Sequence, residues 1–312
     1  MRVLDITNNF KDVTNNFEIG KSSYWILAEV DEINKIKEFL LLDNESINEC
    51  IDSNQPSKIS FFDGYIFIVF NILHYKDNEV VSDELNIFLS KDYIITIYKQ
   101  KLDILEDLIK DIGDSKNCFI LKDKPYTHIL LYYILDRIIV RNYDVISSLE
   151  VQIDKVEIRI LKSPRSEQIG SLIHLRRQVY EIRKYLNPLR YIGDSLSSND
   201  NFVIDPKDIR YFINIENKIN KLMLSLESLV QDLALVREAF EAEISNKTNE
   251  LIKVFTLIAT IFLPLNLISS LQGMNVRHVP FAGVDFGYYH ILVIMLLIAL
   301  LLIMIFKKHK WL

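Results

Sequence analysis

Three hydrophobic textures follow one another along this chain. In the first third, short apolar runs alternate with amphipathic stretches. Tyr24–Val30 (YWILAEV) and Tyr65–Ile72 (YIFIVFNI) are β-favouring runs. Between them, Asp31 is positioned to cap a helix with Ile33, Ile36, Phe39 and Leu40 on one face, and a second short helix follows Asn44. Glu84–Ser90 and Tyr93–Lys99 flank Lys91–Asp92 and predict a hairpin, although its turn lacks Gly and Asn. The pattern predicts a mixed α/β domain over residues 1–124.

From Pro125 the period changes from two to that of a helix. Helices are predicted from Pro125 to Lys162 and from Pro164 to Leu196. Ser163-Pro164 between them reads as an N-cap followed by Pro at the first helical position. Asp205-Pro206 opens a third helix by the same logic. No Gly or Pro interrupts it from Lys207 to Leu263, and a helix of that length is on the order of 85 Å long. That exceeds a globular core, so residues 125–250 read as a long-helix stalk that enters something else.

The third texture is continuous apolarity. Ile252–Leu271 carries one charge, Lys253, at its edge, and His290–Phe306 is almost wholly Ile, Leu, Val and Met. Each is long enough to span about 30 Å of hydrocarbon. The expected boundaries are a first span over 251–272, an outer loop over 273–288, a second span over 289–307 and a basic tail over 308–312. Lys247 and Lys253 precede the first span, and Lys307, Lys308 and Lys310 follow the second; the loop holds Arg277 and His278. By the positive-inside rule both termini lie in the cytoplasm. Tyr288 and Tyr289 suit the outer interfacial belt and Trp311 the inner one.

Charge sharpens this division. The 312 residues sum to −6, yet residues 251–312 carry +4, which leaves −10 on residues 1–250. An acidic body lacks the Lys/Arg surplus that phosphate contacts need, which excludes a nucleic-acid partner, and it suits a protein that handles cations. Cys50 and Cys118 form no CxxC pair and read as reduced thiols. The N-terminal residues have no apolar signal-peptide core. The sequence contains no Walker motif, no GxGxxG and no Ser/His/Asp or Cys/His constellation, so neither an enzyme nor an organic cofactor is expected.

The outer loop begins Gly273-Met274-Asn275. A GMN tripeptide that ends the first of two C-terminal spans after a long helix resembles the signature of the CorA divalent-cation transporter family. The flanks agree: Ser245–Glu250 (SNKTNE), Ile258–Phe262 (IATIF), Pro264 and the terminal Lys-Lys-His-Lys-Trp-Leu are similar to family members at the same distances. Arg183-Lys184, Pro188-Leu189-Arg190, Phe61-Phe62 and Tyr65–Val69 extend the resemblance over most of the chain. It implies a funnel-shaped homopentamer in a bacterial or archaeal plasma membrane, with one central pore and Mg²⁺ as substrate. Two departures stand out. Gln272 precedes GMN where an aromatic is usual, and Phe281 follows Pro280 where an acid is usual.

Two spans cannot enclose a pore, so conduction requires several subunits. On a helix, Ile252, Thr256, Ala259, Leu263, Asn266 and Ser270 share one face. This small or polar stripe suits a pore wall; a helix-packing stripe has a similar composition. Asn266 favours the pore, because an amide facing lipid is costly. Leu263 would form an apolar ring that gates by dewetting. Pro264 deprives the Thr260 carbonyl of its helical donor. Mg²⁺ sheds water reluctantly, so a selective ring would grip the hydrated ion. Asn275 with the Gly273 carbonyl would hold that ion through its own water, while a helix C-cap by Gly and Asn is the structural alternative.

His278 and His290 near the mouth keep a zinc or other transition-metal transporter of the same fold as the near alternative. A non-conducting, membrane-anchored sensor is the alternative of another class. His74, His128 and His174 read as ordinary residues of the body, and Arg176, Arg177, Arg183, Lys184 and Arg190 as a solvated or salt-bridging face.

Two further assignments come from the resemblance alone. Lys307, Lys308 and Lys310 would ring the inner neck of the pore. The family's cytosolic Mg²⁺ feedback site would fall at Glu49, Cys50 and Asn214, where two of three acids are replaced by neutral groups; Asp52, Asp208 or Glu216 would be the acids near enough to compensate. A neutral thiol is a poor Mg²⁺ ligand, so feedback is expected to be weak.

Overall fold

A computed structural model describes residues 1–37, 39–52, 55–274, 286–309 and 311. Its strands are β1 (Arg2–Asp5), β2 (Lys11–Asp12), β3 (Tyr24–Glu29), β4 (Lys58–Phe62), β5 (Tyr65–Lys76), β6 (Glu79–Leu89) and β7 (Tyr93–Tyr98). Its helices are α1 (Ile33–Lys37), α2 (Asn44–Ile51), α3 (Asp103–Gly113), α4 (Phe119–Asp123), α5 (Thr127–Lys162), α6 (Gln168–Leu186), α7 (Leu189–Ser198), α8 (Ile209–Gln272) and α9 (Gly287–Lys308). Two compact units result, one of residues 1–159 with 166–237 and one of residues 160–165 with 238–312.

The first unit is built on a seven-stranded sheet in the order β2-β1-β3-β7-β6-β5-β4, antiparallel except for the β3–β7 pair. β3 and β5 read as unbroken apolar runs because both faces of the sheet are covered. On one face Val3, Ile26, Phe67, Val69, Phe88 and Ile95 pack with Ile33, Ile36, Leu40 and Ile47 from the α1–α2 segment. On the other, Trp25, Ile66, Ile68, Phe70 and Ile94 are also buried, and the Trp25 indole donates to Thr96 Oγ1 at 3.0 Å. β6 and β7 form the expected hairpin, closed by Ser90 N–H to the Tyr93 carbonyl at 2.8 Å.

Several local expectations are corrected. Asp31 is not a cap; it lies inside a 3-10 turn, Val30–Glu32, that Glu29 precedes, and Phe39 is exposed. β5 and β6 pair beyond their apolar cores as a longer hairpin, turned at Asp77-Asn78 with φ of 52° and 65°. Positive φ at both central positions matches the twist of the flanking strands, and Asp and Asn tolerate it. The helix expected from Pro164 starts instead at Gln168, after Glu167, and breaks at Asn187-Pro188 into α6 and α7. Pro188 has no N–H for the ladder, so the break follows from its ring. Asp205 caps as expected, accepting from Lys207 N–H at 2.9 Å ahead of α8.

Side chains tie the helices of this unit to the sheet. β4 begins at Lys58, opposite Val69, so beyond that point β5 is paired with β6 on one edge and has no strand on the other. Ser57 Oγ accepts from Asn71 N–H at 3.2 Å there. Asn142 of α5, fully buried, accepts from Leu73 N–H at 2.8 Å and donates to the Asn71 carbonyl at 3.1 Å. One amide thus substitutes for a β-neighbour. Asn142→Leu strands a buried donor and a buried acceptor and is expected to cost about 3 kcal/mol. A urea midpoint equal to that of the wild type in the solubilised protein would refute the clamp. From α6, Gln178 Oε1 accepts from Val80 N–H at 2.5 Å and His174 Nε2 donates to the Asn78 carbonyl at 2.9 Å.

At the start of α8, Asp208 is buried and bonded to Lys124 and to His128 Nε2, the latter at 3.1 Å. Burial pushes its carboxyl upward, but the hydrogen bonds from Lys124 and His128 outweigh this and hold it below the usual carboxylate range. Burial likewise lowers the His128 imidazole against the pull of Asp208.

Candidate functional site

α8 runs without a break through Pro264 to Gln272, and α9 is the second helix long and apolar enough to cross a membrane. Both leave large apolar side chains in the open, including Phe255, Ile258, Phe262 and Leu267 on α8 and Leu296, Leu297 and Met304 on α9. Water would not tolerate so much exposed hydrocarbon on adjacent helices; a bilayer does.

The six expected pore residues, Ile252, Thr256, Ala259, Leu263, Asn266 and Ser270, are all exposed. The shielded positions of the same stretch, Lys253, Leu257, Thr260, Ile261, Pro264, Leu265 and Ile268, fall roughly on the opposite side of the helix. The stripe therefore faces away from the contacts the chain makes with itself. Thr256 Oγ1 donates to the Ile252 carbonyl at 2.8 Å and Thr260 Oγ1 to the Thr256 carbonyl at 2.7 Å. Each hydroxyl proton is thereby spent on the helix, and each oxygen keeps lone pairs to accept from a passing donor.

At the end of α8 the Gly273 N–H is shared between the Ser269 and Ser270 carbonyls, both at 3.1 Å, and Met274 is exposed. The left-handed glycine cap is not found: among the described glycines, positive φ occurs at Gly20 and Gly64 and not at Gly273. A Cβ on Gly273 would meet the Ser270 and Ser269 carbonyl oxygens at 3.6 and 3.7 Å, ordinary contacts. The fold of one chain thus does not demand glycine here. Asn275, Arg277, His278, Pro280 and Phe281 lie outside the described residues.

α9 begins after Phe286, with Tyr288 and Tyr289 packed edge to face, and ends in exposed Lys307 and Lys308. Trp311 stacks on Phe306 at 6.0 Å, its N–H bonded to the Phe306 carbonyl. Lys310 lies outside the described residues. His290 Nδ1 is 3.1 Å from the Phe286 carbonyl, to which it donates.

The three positions of the expected feedback site differ in character. Glu49 pairs with Lys58 at 2.7 Å. Cys50 is fully buried in the apolar cluster beneath the sheet, and burial, with Glu84 and Glu49 adding to it, pushes its thiol far above the ordinary range. Asn214 is exposed on α8. Of the nearby acids, Asp208 is engaged as described and Glu216 accepts from Ser197 Oγ at 2.9 Å. Among the described residues, no group of three or more His, Cys, Asp or Glu is arranged to hold a metal ion. The basic residues Arg176, Arg177, Arg183, Lys184 and Arg190 are exposed, and Arg190 bridges to Glu227 of α8 at 2.9 Å. One contact had no sequence signal: Lys247 Nζ donates to the Pro164 carbonyl at 3.2 Å.

Comparison with known proteins finds relatives over most of the chain. The family model described as "CorA-like Mg2+ transporter protein" matches residues 20–308. The cobalt/magnesium transport protein CorA of Thermotoga maritima is 27% identical over 302 residues, covering 95% of this chain and 85% of that protein. A putative metal ion transporter of Bacillus subtilis, YfjQ, is 23% identical, covering 92% and 89%. The complete structure of the CorA magnesium transporter from Methanocaldococcus jannaschii superposes with a TM-score of 0.85 at 18% identity, covering all of this chain and 98% of that one, and so shares its fold. This chain is therefore an integral membrane protein of the CorA-like Mg²⁺ transporter family, a family of transporters and not of enzymes.

Proposed function

We propose that the chain is one subunit of a homopentameric channel that passes hydrated Mg²⁺, with Co²⁺ and Ni²⁺ as further permeant ions, into the cytoplasm of a bacterial or archaeal cell. The observation that carries this reading is the exposed stripe on α8, which ends one turn before Gly273-Met274-Asn275. Polar and small groups at hydrocarbon depth that face away from their own chain are costly unless copies of the chain enclose water between them.

In this pathway the ion keeps its inner water shell. Thr256, Asn266 and Ser270 offer neutral oxygens that accept hydrogen bonds from metal-bound water without trapping the ion, and Asn275 with the Gly273 carbonyl forms the outer selectivity ring. Lys307, Lys308 and Lys310 ring the inner neck. A divalent ion crossing the full potential gains roughly 4.6 kcal/mol per 100 mV, so no nucleotide is needed. Zinc fits less well: its nitrogen and sulfur donors are not grouped among the described residues, and His290 Nδ1 is spent on a backbone carbonyl.

Flux tests the reading directly. Purified protein in liposomes containing a Mg²⁺-sensitive dye should conduct when the interior is made negative, and native mass spectrometry should find five chains. Absence of flux from assembled protein defeats the proposal. Leu263, the large apolar residue in the middle of the stripe, acts as the dewetting gate. Leu263→Ser should raise basal flux several-fold with assembly intact; flux at or below that of the wild type would remove the gate assignment.

A further inference from the structure

We propose that the turn between α5 and α6 is a membrane-surface anchor that binds anionic phospholipid headgroups. Its residues Ile160–Arg165 fold into the compact unit that contains both spans, apart from the rest of α5 and α6. The turn is fastened there by the bond from Lys247 Nζ to the Pro164 carbonyl. Lys247 precedes Ile252, where the apolar span begins, by five residues, or about 7.5 Å along the helix. The headgroup layer outside the hydrocarbon is roughly 5–8 Å thick on each side. The turn is therefore held at the depth of the lipid phosphates.

Its side chains match that layer. Lys162 and Arg165 are exposed, and the turn Ile160–Arg165 itself holds no acid; on α8, Lys247 and Lys253 are offset by Glu238, Glu241, Glu243 and Glu250. A guanidinium has five N–H donors in a fork that matches phosphate oxygens. Lysine beside the α5 C-terminus would also suit the helix dipole, but that leaves Leu161 unexplained. Leu161 is 56% exposed next to these cations. An apolar side chain among basic ones is the composition of an interfacial anchor, which inserts its hydrocarbon while its charges remain at the phosphates. The charge of −10 on residues 1–250 repels an anionic surface elsewhere, so contact would concentrate at the two cations of the turn, Lys162 and Arg165. The inference rests on the spans crossing a bilayer and holds whether or not the protein conducts.

The test places an environment-sensitive fluorophore on Leu161→Cys in the full chain; Cys50 and Cys118 are buried and do not compete for label. The labelled protein is reconstituted in nanodiscs of phosphatidylcholine alone or mixed with phosphatidylglycerol, each with a headgroup-level quencher lipid. Anionic discs should quench the label, with a preference of roughly tenfold for anionic lipid around the turn, and high salt should abolish it. Lys162→Gln/Arg165→Gln should lose most of this preference, whereas Arg176→Gln/Arg177→Gln, which removes the same charge from α6, should keep it. Equal quenching in both lipids, or none in either, overturns the proposal. So does a label shift in neutral discs produced by inorganic phosphate, which would indicate a small-anion site.

Discussion

Asn275→Ala is expected to reduce Mg²⁺ flux to that of protein-free liposomes while the oligomer elutes unchanged. A hydrated divalent ion is recognised only through the hydrogen atoms of its bound water, so the ring must present acceptors. In the proposed pentamer, alanine removes one acceptor from every subunit at once, and that loss at a single constriction leaves nothing to replace the ion's second shell. Gly273→Ala should also block flux, for a reason the structure isolates. The added methyl meets only ordinary contacts within its own chain. Loss of conduction with folding unaffected would therefore report crowding at the pore axis, not damage to α8. Flux at the wild-type level in either variant would remove the selectivity ring from the mechanism.

Cys50→Asp should destabilise the α/β unit by about 3–5 kcal/mol, the cost of an uncompensated buried charge. The side chain is fully buried in the apolar cluster with Tyr65, Phe67 and Phe88, and Glu49 and Glu84 are close enough to repel a new carboxylate. A urea midpoint within error of the wild type would show that the side chain can turn outward. The same facts bear on cytosolic feedback. Glu49 is paired with Lys58 and Cys50 offers no charged oxygen, which supports weak feedback. Low-millimolar Mg²⁺ should accordingly leave protease cleavage of α8 unchanged; protection would mean that a functional site exists and that the weak-feedback reading is wrong.

The resemblance was legible because its marks are local or compositional. Hydrocarbon thickness alone converts the apolar runs at Ile252–Leu271 and His290–Phe306 into spans, whatever surrounds them, and α8 and α9 cover both. Asp205-Pro206 opened its helix because a cap and a fixed φ act within one turn. The six-residue stripe needed only helical periodicity.

What failed in the sequence depended on distant partners. Ser163-Pro164 has the local form of a helix start, yet its backbone forms a turn whose Pro164 carbonyl bonds to Lys247, 83 residues away. β1, β2 and β4 are too short to announce themselves and exist through pairing; β4 is held by β5, and β1 by β3. The resemblance alone put Cys50 beside Glu49 in a feedback site, and its burial became visible only from the packing of α2 under the sheet. Asn142 carries no motif at all. Its role exists because β4 begins only at Lys58 and leaves two buried backbone groups on that edge of β5 to be satisfied. Periodicity, capping and apolar length are properties of adjacent residues, so the sequence determined spans, helices and family; burial and the pairing of polar groups depend on residues far apart in the chain, and only the tertiary structure decided them.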